Sequence, residues 1–375
     1  MIKPFIKWPG GKTTELKIIH ENLPEAFQNY IEPFVGGGAC FLSLDRAAYQ
    51  KAYLNDASEE LMGLYQYIQS GNHGFIDNLE AIWSCWSHFG DFSDRNYQRL
   101  RALYAVYKAG EYSTIEGKIL VSGFVEAQHV EMIAGVPRPL QLDMPQFVKT
   151  MTDSIYLKFR NTKKNERAKG DLPEADYHKN FEAGIKTAVY TYFRTLYNRR
   201  TGLEVDREMH MALFFFLREF CYSSMFRYNK DGDFNVPYGG ASYNRKNFKQ
   251  KIEYLRSAPL KEVLQASALY NKDFEMFLET IPIHENDFMF VDPPYDTEFS
   301  TYANNDFNLN DQKRLADYLL NTYEGRFMVI IKNTDYIYSL YHQKGIRIIG
   351  FDKSYAVSFM DRNERAVNHL LIMNY

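Results

Sequence analysis

The sequence predicts an α/β protein: a mixed, mostly parallel sheet assembled from both ends of the chain, with a long, mainly helical segment inserted between them. Three observations predict it. Residues 30–69 alternate strand and helix patterns, and βαβα alternation makes parallel sheets. Three further apolar runs of strand length, 288–291, 327–331 and 346–351, lie near the other end. Between them, about 72–285 carries helical periodicity over much of its length.

In chain order, 30–35 is a short strand, closed by the turn Gly36-Gly37-Gly38 and followed by a helix over about 39–49. Residues 51–55 form a second strand and 58–69 a second helix, which Ser58 is placed to cap. The strands at 288–291 and 327–331 flank a helix over 309–323, opened by Asn308. The expected division is one domain from 1–71 and 286–375, with 259–285 joining its sheet, and an inserted domain over 72–258. Inside the insertion, 78–88, 94–108, 184–198 and 206–220 read as helices, while 135–180, with scattered Pro, Gly and Lys, reads as loop. Residues 226–236 read as a β-hairpin turning at Asp231-Gly232.

Composition narrows the function classes. Apolar and charged fractions of 45% and 24% are those of a soluble globular protein, and the net charge of −3 gives no global attraction to a polyanion. Locally the balance differs. Lys158, Arg160, Lys163, Lys164, Arg167 and Lys169 are opposed only by Glu166; Arg194, Arg199 and Arg200 are interleaved with aromatics; Arg245, Lys246, Lys249 and Lys251 form a third group. Charge runs are ordinarily solvated faces, but three in the central third of the chain favour a phosphate-tracking surface. The 29 tyrosines and 28 phenylalanines exceed what a core usually needs, so some are free to stack on bases. The cysteines, Cys40, Cys85 and Cys221, lack metal or redox spacing, the histidines form no ligand cluster, and no metal is expected. With no signal-peptide pattern and no apolar run of membrane-spanning length, an intracellular, cytoplasmic protein is expected.

Three motifs carry chemistry. Asp292-Pro293-Pro294-Tyr295 follows the apolar run 288–291, so it leaves the carboxyl end of a buried strand, where open α/β sheets bind ligands. Its prolines fix the backbone so that the Asp carboxylate, a proline carbonyl and the Tyr ring can converge. Two acceptors and a stacking ring suit a flat aromatic amine, with adenine the obvious candidate. Glu32-Pro33-Phe34-Val35-Gly36-Gly37-Gly38 is a strand leading into a glycine turn, and Asp56 follows Gly36 by twenty residues, the offset of a ribose-holding carboxylate. Phe41 replaces the third glycine of a dinucleotide fingerprint, which disfavours a tight pyrophosphate site. In Lys7-Trp8-Pro9-Gly10-Gly11-Lys12-Thr13, Gly11-Lys12-Thr13 imitates a phosphate loop, but Ile6 stands where its first glycine belongs and no strand precedes it.

Taken in this order, the motifs make the chain resemble the Dam-type, D12-class, α-group DNA adenine-N6 methyltransferases. That family has K-W-x-G-G-K, E-P-F-x-G-x-G, N-D, a central recognition region and D-P-P-Y in sequence. Here they are Lys7 to Lys12, Glu32 to Gly38, Asn55-Asp56 and Asp292 to Tyr295. Arg227-Tyr228-Asn229 and Phe234 to Gly239 resemble its DNA-reading hairpin, whereas about 75–205 has no counterpart in compact members. The resemblance implies an S-adenosylmethionine-dependent, Rossmann-like methyltransferase domain carrying an inserted target-recognition domain. It implies that Trp8, Lys12, Glu32, Phe34, Gly36, Gly38, Asp56 and Asp292 hold S-adenosylmethionine and that Asp292, Pro293, Pro294 and Tyr295 form the catalytic group. It assigns Lys7, Tyr222, Met225, Arg227, Asn229 and Pro237 to the recognition site, with Tyr222 as a wedge and Arg227 as a guanine reader. Departures from the family pattern are Ser223-Ser224 for Asn-Gly, Met225 for Leu, and Lys332-Asn333-Thr334-Asp335 for Ser-Asn-x-Asp. The first two bear on which bases are read.

The expected reaction is methylation of adenine N6 in double-stranded DNA, at GATC or another GA-containing site. The enzyme is expected to act as a monomer, bacterial or phage-encoded, with a restriction endonuclease of the same site as a candidate partner. A catalytically silent DNA-binding module, an RNA adenine substrate and cytosine-N4 transfer are the alternatives. Intact Asp56, Asp292 and Tyr295 argue against the first, and Asp292, where cytosine-N4 enzymes usually carry Ser, against the last.

Overall fold

The computed structural model describes residues 2–225, 227–295, 307–354 and 366–375. They fall into two compact units, Met1–Gly71 with Leu255–Tyr375, and Asn72–Tyr254.

The first unit is built on a seven-stranded sheet. Its strands are β1 (Asn29–Glu32), β2 (Lys51–Asn55), β3 (Ser267–Tyr270), β4 (Phe288–Val291), β5 (Arg326–Lys332), β6 (Arg347–Ser354) and β7 (Ala366–Met373). Their order is β3-β2-β1-β4-β5-β7-β6, parallel throughout except that β7 runs antiparallel to both β5 and β6. All four residues of β1 and all four of β4 are buried, as expected of parallel strands covered on both faces. On one face Ile31, Met289, Val291, Val329 and Ile372 pack with Phe277, Leu315 and Leu319 from the helices Phe274–Thr280 and Leu309–Asn321. Strand order reverses between β1 and β4, so the loops leaving their carboxyl ends open the crevice where such sheets bind ligands.

The anticipated strands and helices of this unit are present with small shifts at their ends. The Ser58 hydroxyl caps Glu59–Ser70 by accepting from Leu61 N–H at 3.3 Å, and Asn308 and Asp311 form a reciprocal cap on Leu309–Asn321. The helix expected over 39–49 is shorter, Ala39–Ser43, with a 3₁₀ turn at Arg46–Ala48. Segment 259–285 contributes β3 at the sheet edge. Strand β7 was not foreseen, because Asn368 and His369 interrupt its apolar run.

The second unit is mainly helical. His73–Arg95, Tyr97–Ala109, Glu174–Asn198 and Arg207–Phe220 correspond to the four helices read from the sequence, with shifts of up to three residues where 94–108 and 206–220 begin, and Thr114–Ala127 and His129–Ala134 are further helices. The reading of 135–180 as loop was wrong: Met144–Lys169 is a 26-residue helix. Its buried positions Phe147, Met151, Ile155, Phe159, Thr162 and Glu166 recur every three or four residues. The residues that suggested a loop are punctuation instead. Pro145 sits in the first turn, Gly170 ends the helix and Pro173 precedes the next. Buried Glu166 is satisfied by the hydroxyls of Tyr104 and Tyr177 and by Lys108. Among the described residues no helix is long and apolar enough to cross a membrane.

Candidate active site

Three loops at the carboxyl ends of β1, β2 and β4 meet in the first unit. After β1, the backbone turns through Gly36 and Gly38 at φ of +49° and +69°, conformations that glycine adopts without steric cost. Space demands glycine as well: a Cβ on Gly38 would lie 2.5 Å from the Tyr65 hydroxyl, and one on Gly36 3.0 Å from Trp8 Cδ1. Asp56, leaving β2, accepts from Gly36 N–H and Ser58 N–H, each at 3.0 Å. Burial nevertheless pushes its carboxyl up to about 6, those two donors only partly opposing the rise. Asn55 ties the loop ends together, donating to the carbonyls of Pro33 and Lys272 and accepting from Lys272 N–H, all at 3.0 Å.

After β4 comes the Asp-Pro-Pro-Tyr segment. Asp292 Oδ2 is 2.5 Å from Lys12 Nζ, across 280 residues of sequence. Lys12 is almost wholly buried, donates also to the Gly10 carbonyl at 2.7 Å, and lies 5.2 Å from the Tyr295 ring centroid. Buried Gln312 donates from Nε2 to the Pro294 carbonyl at 2.8 Å. The imidazole of buried His369, on β7, meets Tyr295 edge to face at 5.5 Å. Glu32 is interior, accepting from the Tyr30 hydroxyl at 2.8 Å and from Phe41 N–H. Its carboxyl is held far above the ordinary range, first by burial and also by the charges of Asp292 and Asp56. Three carboxyl groups, Glu32, Asp56 and Asp292, and one ammonium thus share the crevice.

Of the residues singled out in the sequence, Trp8, Lys12, Glu32, Gly36, Gly38, Asp56, Asp292 and Tyr295 are brought together by these contacts. Phe34 is half-buried beside the rings of Phe274 and Phe307. Sequence reasoning missed Tyr65, Gln312 and His369. For Gln312 a signal existed: with Leu315, Ala316 and Leu319 it occupies i, i+3, i+4 and i+7, so a polar residue stood on a core-facing stripe.

The hairpin segment belongs to the second unit. Tyr228 pairs with Phe234 and Cys221 with Tyr238, as isolated antiparallel bridges rather than full strands. Asn229 closes the turn, its side chain accepting from Asp231 N–H and Asp233 N–H at 3.0 and 2.8 Å. Phe226, the first residue of the expected hairpin, lies outside the described residues. Tyr222 is 52% exposed and its N–H donates to the carbonyl of exposed Pro237. Ser223 and Ser224 both have φ of +52°, a left-handed conformation that serine adopts less readily than the usual Asn-Gly. Met225 is half-buried and its carbonyl accepts from Arg218. Exposed Arg227 donates from Nε to Asn235 Oδ1 at 2.9 Å, and its other side-chain donors meet no partner among the described residues. Lys7 is exposed on the first unit.

Comparison with known proteins identifies the family. The pattern defining the D12 class N6 adenine-specific DNA methyltransferases matches residues 8–122 and 151–356, entering the segment of about 75–205 from both sides and leaving 123–150 between the two matches. The type II methyltransferase M.CviBI of Paramecium bursaria Chlorella virus NC1A is 25% identical over 379 residues, covering all of both chains. The type II methyltransferase M.MjaIII of Methanocaldococcus jannaschii is 26% identical, covering all of this chain and 99% of its own. A DNA adenine methylase of Vibrio cholerae is 21% identical over 99% of this chain and 95% of its own. A match extending over both units, with relatives aligned nearly end to end, shows that the chain belongs to the D12 class of N6 adenine-specific DNA methyltransferases.

Proposed function

We propose that the enzyme transfers a methyl group from S-adenosylmethionine to N6 of an adenine everted from double-stranded DNA, at a specific site. One observation carries this reading: Lys12, Asp292, Glu32, Asp56 and the glycine turn, drawn from both ends of the chain, share one crevice. The crevice suits the donor, since a turn where a Cβ on Gly38 would collide with Tyr65 and one on Gly36 would crowd Trp8 lets backbone approach a ligand closely, and Asp56 offers a carboxylate for ribose hydroxyls. Trp8, Lys12, Glu32, Phe34, Gly36, Gly38, Asp56 and Asp292 are the residues that would hold it. When bound, its sulfonium supplies an already activated methyl group.

The protein's own task is then alignment and electrostatics. Adenine N6 is a weak nucleophile because its lone pair is delocalised into the ring. Accepting its two hydrogens, by the Asp292 carboxylate and the Pro293 carbonyl, favours a pyramidal nitrogen and stabilises the positive charge that develops there. The Pro294 carbonyl already accepts from Gln312, which favours Pro293 for that role. Everting the base costs a few kcal/mol, and stacking on Tyr295 recovers about 1–3 kcal/mol of it. Lys7, Tyr222, Met225, Arg227, Asn229 and Pro237 would read the site, the second unit serving as the target-recognition domain. Arg227, whose terminal N–H groups are unengaged among the described residues, fits a guanine edge. GATC, or a longer GA-containing site, is the sequence proposed. The enzyme would work on cytoplasmic DNA, with a restriction endonuclease of the same site as its functional counterpart.

Transfer of tritiated methyl from S-adenosylmethionine to duplex DNA tests the reaction, and mapping N6-methyladenine in a methylation-free host expressing the gene tests the site. Absence of transfer to DNA of any sequence would refute the proposal.

A further inference from the structure

Methyl transfer makes no use of a basic stripe on the helix Met144–Lys169. Arg160, Lys163, Lys164 and Arg167 fall at i, i+3, i+4 and i+7, positions that share one helical face. They line a pocket of about 420 Å³ together with Tyr107, Tyr112 and Glu111. The two tyrosines stack, centroids 5.7 Å apart and planes at 12°, and Lys163 Nζ lies 5.5 Å from the Tyr107 centroid. Lys163 is fixed by donating to the Gly110 carbonyl, and Arg167 pairs with Glu111. Arg160 and Lys164 are exposed and meet no carboxylate among the described residues.

The two acids nearer the start of this helix, the N-cap Asp143 and Asp153, are each paired with a cation. Asp143 pairs with Arg199, and Asp153 with Lys118. Cations in a last helical turn also complement the helix dipole, but that effect fades within one turn. It accounts for Arg167 and Lys169 and leaves Arg160 and Lys164 unexplained. Four cations facing one carboxylate, over about 10 Å of helix at 1.5 Å per residue, form a line rather than a point cradle. A line of cations fits a polyanion better than a single small phosphate.

We propose that this pocket is a phosphate-binding site, which takes phosphodiester groups of the DNA flanking the methylated site; the inference rests on the reading of the chain as a duplex-DNA methyltransferase. Its position within the second unit sets a minimum reach. The helix packs antiparallel to Glu174–Asn198, Phe147 meeting Tyr192 and Phe159 meeting Phe181. The stripe therefore lies beside the beginning of the second helix. The recognition loop is held near that helix's end, by Tyr190 to the Val236 carbonyl and Asn198 to the Phe234 carbonyl, each at 3.0 Å. The axial separation is about 20 Å, so a duplex must extend at least about six base pairs past the loop to reach the stripe.

The test compares the full-length enzyme with its Arg160→Gln/Lys164→Gln variant, whose exposed side chains can be replaced without disturbing the core. Fluorescence anisotropy over a salt series would use labelled duplexes of about 12 and about 30 base pairs. Wild type is expected to bind the longer duplex at least about tenfold more tightly, with a salt slope steeper by about 2, and the variant to lose both differences. Turnover of the variant on the short duplex should be unchanged. A variant equal to wild type in slope and long-duplex affinity overturns the proposal. So does displacement of inorganic tripolyphosphate by the double substitution without any effect of DNA length, which would mark a small-phosphate site. Because slopes are measurable on DNA of any sequence, a length-dependent enzyme that transfers no methyl group would sink the proposed function and leave this site standing.

Discussion

Replacing Gln312 by leucine should separate activity from stability. The side chain is wholly buried, and its one hydrogen bond among the described residues holds the Pro294 carbonyl at 2.8 Å. Losing that bond costs about 1 kcal/mol net. Against this, Gln312 Oε1 is buried and meets no donor among the described residues, a burden of about 1–3 kcal/mol that leucine removes at similar volume. The two effects oppose each other, so folding stability should change by less than about 1–2 kcal/mol. Catalysis has no such offset. A released Pro294 carbonyl lets the neighbouring Asp292 carboxylate and Pro293 carbonyl drift, and misplacement by about 1 Å costs up to about a hundredfold in rate. We expect kcat to fall about 10- to 100-fold, or about 1.4–2.7 kcal/mol of barrier, with duplex affinity unchanged. Gln312→Glu should fall further, because a carboxylate oxygen would face the same carbonyl. Saturating tritiated-methyl assays, paired with thermal unfolding and anisotropy, measure all three quantities. Wild-type kcat in a folded Gln312→Leu enzyme would refute the positioning argument.

Other substitutions test the remaining roles. Asp292→Ala should abolish transfer while duplex binding persists; methyl incorporation at the wild-type rate would remove Asp292 from the mechanism. Asp56 titrates near 6, above the ordinary value of about 4, so the folded protein holds this proton more tightly than the unfolded chain does. As pH rises from about 4 to about 6 the unfolded chain ionises while the folded Asp56 keeps its proton, so folding stability falls; as pH falls through about 6 the folded protein loses the carboxylate proposed to accept from ribose hydroxyls. Donor affinity, read by calorimetry, should therefore decline below about pH 6, and an Asp56→Asn variant should be weak and pH-independent; a flat wild-type profile would count against the ribose role. Arg227→Ala should relax discrimination at one guanine by about 1–3 kcal/mol, visible as a broadened methylation map, whereas an unchanged map would discount the assignment.

The sheet was largely legible because parallel strands buried on both faces leave short, continuous apolar runs. Residues 288–291 and 51–55 coincide with their strands. The elements that escaped notice are those whose burial is mixed. Three of the four residues of β3 are only half-buried, and β7 carries Asn368 and His369 amid its apolar residues. The helix Met144–Lys169 was misread because proline and glycine were weighed by their presence rather than by their place. At a first turn or just past an end they delimit a helix, and the buried period through Phe147, Met151, Ile155 and Phe159 was the stronger indication.

The candidate site was legible as separate words but not as a sentence. Each motif named its own residues, yet the Lys12–Asp292 pair spans 280 positions and depends on β1 and β4 being neighbours, which no local pattern encodes. The same adjacency explains why the supporting residues were missed. Gln312 lies on a helix whose apolar face covers the sheet, and His369 on a strand read from neither propensity nor period. Both act on the tetrapeptide through tertiary packing, and each is a polar group in an otherwise apolar setting. Burying such groups is unfavourable unless they are hydrogen-bonded. A polar residue on a core-facing stripe is therefore a reason to ask which backbone group it holds, and here the answer is the Pro294 carbonyl of the Asp-Pro-Pro-Tyr segment.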